Sequence, residues 1–531
     1  MRRWTRAIPL IVVATVLGGG AFAAAPASAS SPFVPAWYGH GHILSGAAEN
    51  LAHVLRAPTS GGSSTMPGGC RAEHSFSGNV LVNCLAEDGR SPQNTQSETS
   101  EAVIGKTVVV GFNDSRLCCK QLDFTGYSVS GDGGHTFFDK GGLPLLTHVQ
   151  PIGDPAVAAG TDGSFYFASL ALSGLTARGH SLISFYRMGP GQTRFHLLSL
   201  PVDVGSQAKK FADKEYLAIG RDANGHQHFY LTWTLFTSAV PSVIMLTDST
   251  DGVHWRTHPV SAADGCSQGS NPVPARGTVY VSWEQSVPEA CTAGNPNSHA
   301  MVMMAAVNAA TGTLVRRTVV APILGAGDAI VNCNGPTDFR EVIETAPGHD
   351  IRLFEMPTTT IDRNGVLYAA WNDRPGGIGG VPSNATRIYL SVSRDGARTW
   401  SKKPAVISGP VSNTVVRDRF QPWITADAAG LHAMWYERVG SLVQTNAENL
   451  TLATASAAPR PGREVMVSSV AFPIIQTNPN QDPVISNCYM GDYNNIVTAA
   501  GVQYISWGDN RNLVGTTNGV EHQPDVFLTR R

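Results

Sequence analysis

The chain has 531 residues, 38 of them basic and 40 acidic, for a net charge of −2. It therefore carries no field favouring nucleic acid or an anionic membrane surface. Only 15% of residues are charged, while Gly (55) and Pro (33) are plentiful, which excludes a helical bundle and fits many short strands joined by turns.

At the N-terminus Arg2, Arg3 and Arg6 precede an apolar run over 7–25 and then Ala27-Ser28-Ala29. This charged, apolar, small-residue order predicts a secretory signal peptide over 1–29, with an uncleaved anchor as the alternative. No later stretch approaches the ~18 apolar residues that a membrane span needs, so the expected product is secreted, extracellular, free of membrane after cleavage, and a monomer. Eight cysteines without a CxxC pair favour disulfides in an exported chain. Residues 30–95, built around "TSGGSSTMPGG", read as a low-complexity leader.

From residue 96 onward a repeat sets in. Its clearest line is Gly-x-x-Tyr-x-x-Trp, in "GTVYVSW" (277–283), "GVLYAAW" (365–371) and "GVQYISW" (501–507). "GSFYFAS" (163–169), "HFYLTW" (228–233) and "GLHAMW" (430–435) are looser forms, and "KTVVVGF" (106–112) opens the series. Residues two apart share one face of a strand, and each copy follows a short apolar strand and an Asp-Gly or Asn-Gly type of turn. Two further strands complete each unit. Units beginning near 97, 153, 213, 268, 356, 420 and 491 predict an all-β fold, a β-propeller of seven four-stranded blades over 96–531, with six as the alternative. The last unit holds three strands, and "NVLVNCL" (79–85) is placed to supply its fourth and close the ring.

A second repeat reads "SVSGDGGHTFFDK" (128–140), "SVSRDGARTWSKK" (391–403) and "STDGVHW" (249–255). It falls between the third and fourth strands of its unit. Copies in separate blades do not converge, so Asp132, Asp251 and Asp395 are expected to hold turns rather than perform chemistry.

The Ser-x-Asp-x-Gly-x-Thr-Trp pattern resembles the Asp-box, or BNR repeat, of sialidases and related propellers. "DKEYLAI" (213–219), "FQPWITAD" (420–427) and "MGDYNNI" with "WGDNR" (490–511) are similar to secreted bacterial exo-sialidase-like proteins. The resemblance covers about residues 95–531. It implies a glycan substrate, three arginines for a carboxylate, a tyrosine nucleophile with a glutamate, and an aspartate acid/base. The family's Arg-Ile-Pro signature is absent, and neither the tyrosine–glutamate pair nor the acid/base is placed by motif.

Propeller topology puts residues leading into strand one and leaving strand two on the face opposite the Asp motifs. On that ground alone the catalytic candidates are Tyr493, Glu215, Asp154 and Asp492. The substrate-binding candidates are Arg116, Arg374, Arg511, Arg438 and Asp373. Blade-to-blade ion pairs are the structural alternative for the arginines. Most cysteines map to the same face; Cys266–Cys291 is the first pairing expected, then Cys488 with Cys118 or Cys119. The segment 319–356, with Cys333, is the expected lid or specificity loop. No HExxH, GxSxG, P-loop or EF-hand pattern occurs, so no cofactor or catalytic metal is expected, with structural calcium left open. The expected function is a sialidase-like glycoside hydrolase; the alternative is a propeller without catalysis that binds glycan or protein.

Overall fold

A computed structural model describes residues 37, 44–45, 48–49, 51, 69–72, 78–85, 94–115, 123–222, 225–237, 242–263, 265–286, 300–333, 339–346, 349–377, 379, 384–409, 416–450, 462–474, 482, 485–516 and 519–531. Among the described residues the strands form seven antiparallel sheets of four or five strands and one further sheet of three. This is the layout of a β-propeller. The first strands are Gln96–Ile104, Gln150–Ala159, Lys210–Arg221, Cys266–Ala275, Thr358–Ile361, Arg419–Ala426 and Asn495–Ala499. Each packs against the first strands of the sheets before and after it, and Asn495–Ala499 returns to Gln96–Ile104.

The repeated Tyr/Trp line builds the layers between sheets. Trp283, Trp371, Trp435 and Trp507 are all at most 1% exposed. Leu367 and Trp371 of the fifth sheet pack with Val302 and Met304 of the fourth. On its other face Tyr368 packs with Leu431 and Trp435 of the sixth. Burying each such aromatic contributes on the order of 2–3 kcal/mol. The turn ahead of that line is fixed by Asp362, whose carboxylate accepts the amides of Asn364 and Val366 at 2.9 Å each. Gly365 takes φ +85° in the same turn, a conformation costly for other residues.

In the last sheet Val80–Leu81 pairs with Leu528 and Phe527 as the outermost strand. Cys70–Arg71 pairs with Asp139 and Phe138 on the outer edge of the first sheet. The disulfide Cys70–Cys84 ties these two strands together. Valines of the first sheet (Val108, Val110) and Tyr504, Val526 and Leu528 of the last share one apolar cluster.

The Asp motif is a turn clamp. Asp132 accepts from Ser130 Oγ (2.7 Å), from the amides of His135 (2.9 Å) and Thr136 (3.0 Å), and from Thr136 Oγ1 (2.7 Å). Asp395 repeats the pattern with Ser393, Arg398 and Thr399. These donors hold the Asp132 carboxyl well below the usual range.

Between the fourth and fifth sheets lies the three-stranded insertion Ala329–Asn332, Phe339–Ala346 and His349–Arg352. Its Cys333 forms a disulfide with Cys488. That pairing replaces the expected one of Cys488 with Cys118 or Cys119, because the insertion folds back onto the segment leading into the last sheet. Cys266 is disulfide-bonded, but Cys118, Cys119 and Cys291 lie outside the described residues. Among the described residues no helix is long and apolar enough to cross a membrane, and no group of three or more His, Cys, Asp or Glu is arranged to hold a metal ion.

Candidate active site at the ring centre

Five of the seven first strands carry a bulge at the same place, between residues 97/100, 153/156, 213/216, 268/271 and 420/423. At each bulge one residue takes a left-handed backbone: Glu98 (φ 53°), Asp154 (52°), Lys214 (48°), Gly269 (67°) and Gln421 (50°). Four of the five are not glycine, and each such conformation costs about 1 kcal/mol or more. A bulge redirects a side chain that the regular pleat would send elsewhere. Here the redirection groups charged side chains around one spot.

Glu98 accepts three hydrogen bonds at 3.0 Å, from Tyr489 Oη, Asn113 Nδ2 and the amide of Asp492. Asn113 Oδ1 in turn accepts the Asp154 amide at 2.9 Å, joining the first two bulges. Asp492 holds Arg352 through both carboxylate oxygens, at 2.6 Å each to Nη2. Asp154 and Glu215, both fully buried, have no hydrogen-bond partner of good geometry among the described residues for either carboxylate oxygen. Glu98 and Ser45 still stand close enough to Asp154 to hold its pKa down in part. Lys214 Nζ likewise has no hydrogen-bond partner there and lies 3.4 Å from the centroid of the Tyr493 ring, a cation–π contact.

Desolvation dominates the electrostatics. Burial pushes Glu98 well above the usual carboxylate range, Asp154 and Asp492 push it further, and Lys214 and Arg352 offset part of the rise. Burial also raises Asp154, with Lys214 opposing, and raises Glu215 strongly, helped by Asp154. Asp213 is pushed up to about 7, by burial first and Asp154 next. The phenols of Tyr489 and Tyr493 rise well above 10, again through burial. Carboxyls of this kind stay protonated where surface carboxyls have ionised.

Beside the cluster opens a cavity lined by Lys214, Tyr216, Phe354, Met356, Asn372, Gln421, Trp423, Asp492 and Tyr493 among others. Trp423 is its centrepiece, with ring centroids 5.0 Å from Tyr216 and 6.4 Å from Tyr493.

Of the residues picked from sequence, Asp154, Glu215, Asp492 and Tyr493 meet here around Lys214. Tyr493 Oη donates to the Pro155 carbonyl at 3.2 Å, whereas the tyrosine–glutamate hydrogen bond belongs to Tyr489 and Glu98. The arginines picked from sequence are not brought to this cluster by any described contact. Arg374, fully buried, pairs with Asp328 (2.5 Å) and Asp418 (2.9 Å). Arg438 shares the same two aspartates. Arg511 pairs with Asp509 at 2.5 Å and bonds Asn79. Asp373 accepts the amides of Leu324 (3.0 Å) and Arg374 (2.8 Å), and burial raises its carboxyl to about 6. Arg116 lies outside the described residues.

The arginines at the centre are instead Arg340 and Arg352, both 1% exposed and both on the insertion. Arg352 stands 5.1 Å from the Tyr489 ring centroid, and each arginine forms an ion pair with Glu49. Sequence reasoning passed over Glu49, Glu98, Tyr489, Arg340 and Arg352. The one usable signal was register: Glu98 stands in "SET" where Asp154 stands in "GDP" and Lys214 in "DKE".

No family model matches the chain, and no curated protein matches it. Solved structures similar to it include the GH93 α-L-arabinofuranosidase of Fusarium graminearum, with 12% identity, 68% of this chain, 92% of that one and a TM-score of 0.42. An α-L-arabinanase of Penicillium chrysogenum has 11% identity, covering 85% of this chain and 97% of that one, with a TM-score of 0.38. The Trypanosoma rangeli sialidase has 10% identity over 66% of this chain and 54% of its own, with a TM-score of 0.38; the match spans about half of that enzyme. These neighbours are glycoside hydrolases.

Proposed function

We propose that the seven sheets are the blades of a closed seven-bladed propeller, exported and extracellular, and that the protein is a glycoside hydrolase working at the ring centre. The carrying observation is the pair of buried carboxyls, Asp154 and Glu215, that have no hydrogen-bond partner of good geometry among the described residues and stand beside Lys214, which lines an aromatic-walled cavity. A carboxyl kept protonated by burial can donate to a glycosidic oxygen as it departs. The ring faces of Tyr216, Trp423 and Tyr493 suit the C–H faces of a sugar, and Gln421 and Asn372 offer polar groups to fix its orientation.

The finer reading is a hydrolase of sialidase type. Tyr489 attacks the anomeric carbon while Glu98 accepts the phenol proton through the hydrogen bond already in place, and Asp154 protonates the leaving oxygen. Water then attacks the glycosyl–tyrosine bond, giving its proton to Asp154, and Glu98 returns a proton to the Tyr489 oxygen. Glu98 acts as the base from its ionised form, which burial, Asp154 and Asp492 oppose and Lys214 and Arg352 favour.

The test is a panel of fluorogenic glycosides, sialosides and arabinofuranosides included, offered to the wild-type protein. Turnover of one class is expected, and Asp154→Asn should reduce it by about 10²-fold or more. Failure of the whole panel overturns the hydrolase reading. Glycan binding lost in Trp423→Ala would then favour the non-catalytic alternative.

A further inference from the structure

The groups that would do the chemistry are shut away from solvent. Tyr489, Glu98, Asp154 and Glu215 are each at most 3% exposed, and none of them lines the cavity beside them. A sugar reaches the Tyr489–Glu98 pair only if something at the ring centre moves. The first strands are held in their sheets by backbone ladders, and the insertion is tied by Cys333–Cys488 to the segment leading into the last sheet. One further piece of chain packs there under neither restraint. It lies upstream of the first strand, which begins at Cys70, and no cysteine precedes Cys70 in the sequence.

That piece is anchored at several points of the centre. Trp37 stacks on Phe211 with ring centroids 4.3 Å apart and donates through Nε1 to the Gln207 carbonyl at 2.5 Å. Ser45 donates through its amide (2.9 Å) and its hydroxyl (2.5 Å) to Asp213, and it stands against Asp154 as well. Leu44, Ala48 and Leu51, all fully buried, share one apolar cluster with Phe211, Ile485 and Tyr489. Glu49 latches the piece to the insertion through Arg340 and Arg352, and accepts from Ser486 Oγ at 3.2 Å. The reacting groups are positioned without it. Tyr489 Oη bonds Ser97 Oγ at 3.0 Å, Asn113 Nδ2 at 2.9 Å and Glu98 at 3.0 Å, and Arg352 holds Asp492. Lifting the piece away would uncover the pair without dismantling it.

We propose that this stretch, anchored by Trp37, Leu44, Ser45, Ala48, Glu49 and Leu51, is an internal inhibitor that seals the ring centre until it is displaced. That the covered groups are catalytic rests on the hydrolase reading; that they are covered does not. Between Leu51 and Cys70 the chain reads "PTSGGSSTMPGG" over 58–69, a composition that offers little to bury. A cut there leaves every strand and the Cys70–Cys84 disulfide on the ring side. Turnover by the intact chain is then set by the small fraction of molecules in which the stretch stands open, and displacement raises it by the inverse of that fraction.

The experiment places a protease sequence between Ser64 and Thr65 of the full-length protein and cleaves it after folding. Two readouts follow: the rate at which tetranitromethane nitrates Tyr489, mapped by peptide mass, and turnover of whichever fluorogenic glycoside the intact protein accepts. Release of the fragment should speed both by about tenfold or more, and a synthetic peptide of residues 37–51 added in trans should slow both again. A fragment that stays bound after cleavage should be driven off by Leu44→Asp, and one that stays even then overturns the proposal. Release that unfolds the ring, read by near-ultraviolet circular dichroism, overturns it too, because the stretch is then a part of the core. So does release that leaves the nitration of Tyr489 unchanged. Faster nitration with no glycoside turned over counts against the hydrolase reading alone.

Discussion

Glu101 gives the sharpest physical test of how this ring is built. It lies on the first strand of the first sheet, 2% exposed, and accepts a hydrogen bond from Ser506 of the last sheet. Burial pushes its carboxyl up to about 8, with Ser506 offsetting part of the rise. The folded value therefore lies above the unfolded one of about 4.5. The stabilisation from protonated Glu101 is complete below about pH 4.5 and is lost as pH rises through about 8. A rise from 4.5 to about 8 corresponds to roughly 5 kcal/mol, at about 1.4 kcal/mol per pH unit. Glutamine keeps the shape and the acceptor for Ser506 but carries no proton to lose. Asp213 and Glu341, at about 7, and Asp373, at about 6, titrate in the same direction, so both proteins lose stability with rising pH and only their difference reports Glu101. Guanidinium unfolding at pH 5 and pH 8.5 should show Glu101→Gln gaining about 4 kcal/mol on the wild type between the two. Parallel pH profiles would refute the reasoning.

Three further outcomes separate structure from chemistry. Arg374→Ala leaves Asp328 and Asp418 to share Arg438 and should cost about 2–3 kcal/mol of stability, read by thermal unfolding, whereas a substrate contact would raise KM in a protein of unchanged stability. Trp423→Ala removes an aromatic wall of the cavity and should weaken glycan binding by roughly tenfold or more, and it should also lower the unfolding midpoint because Trp423 packs against Tyr216 and a buried apolar cluster. Asp132→Ala frees two turn amides and two hydroxyls on the opposite face, and should cost about 1–2 kcal/mol of stability while leaving kcat/KM untouched.

The ring was readable because its signals are local. Units placed near 97, 153, 213, 268, 356, 420 and 491 have first strands beginning at 96, 150, 210, 266, 358, 419 and 495, since an Asp-Gly or Asn-Gly turn followed by alternating aromatics specifies a hairpin whatever surrounds it. Asp154, Glu215, Asp492 and Tyr493 were picked by their place in that repeat, and the fold brings them together around Lys214. Arg340 and Arg352 were not, because the insertion has no period to align and its docking depends on Cys333 meeting Cys488. Nor was the partner of Glu98, since nothing local distinguishes Tyr489 from Tyr493. The Asn-Asp-Arg turns are conspicuous in sequence, but Arg511 is taken up by Asp509 two residues away and Arg374 by Asp328 and Asp418, which nothing local announces.

The bulges show how charged side chains come to be gathered at the centre of the ring. A regular first strand would satisfy its own ladder and send alternate side chains into the layers between sheets. Each bulge leaves a residue unpaired, and Glu98, Asp154, Lys214 and Gln421 additionally accept a backbone that disfavours side chains. Five sheets repeat that cost at one height, and the redirected side chains bring carboxyls into a dry space where their proton affinities rise together. Stability alone gives no reason to gather Glu98, Asp154 and Asp492, each of which opposes the ionisation of another. Strain repeated around a ring to concentrate like charges is a cost that a binding or catalytic centre explains and a purely structural hub does not.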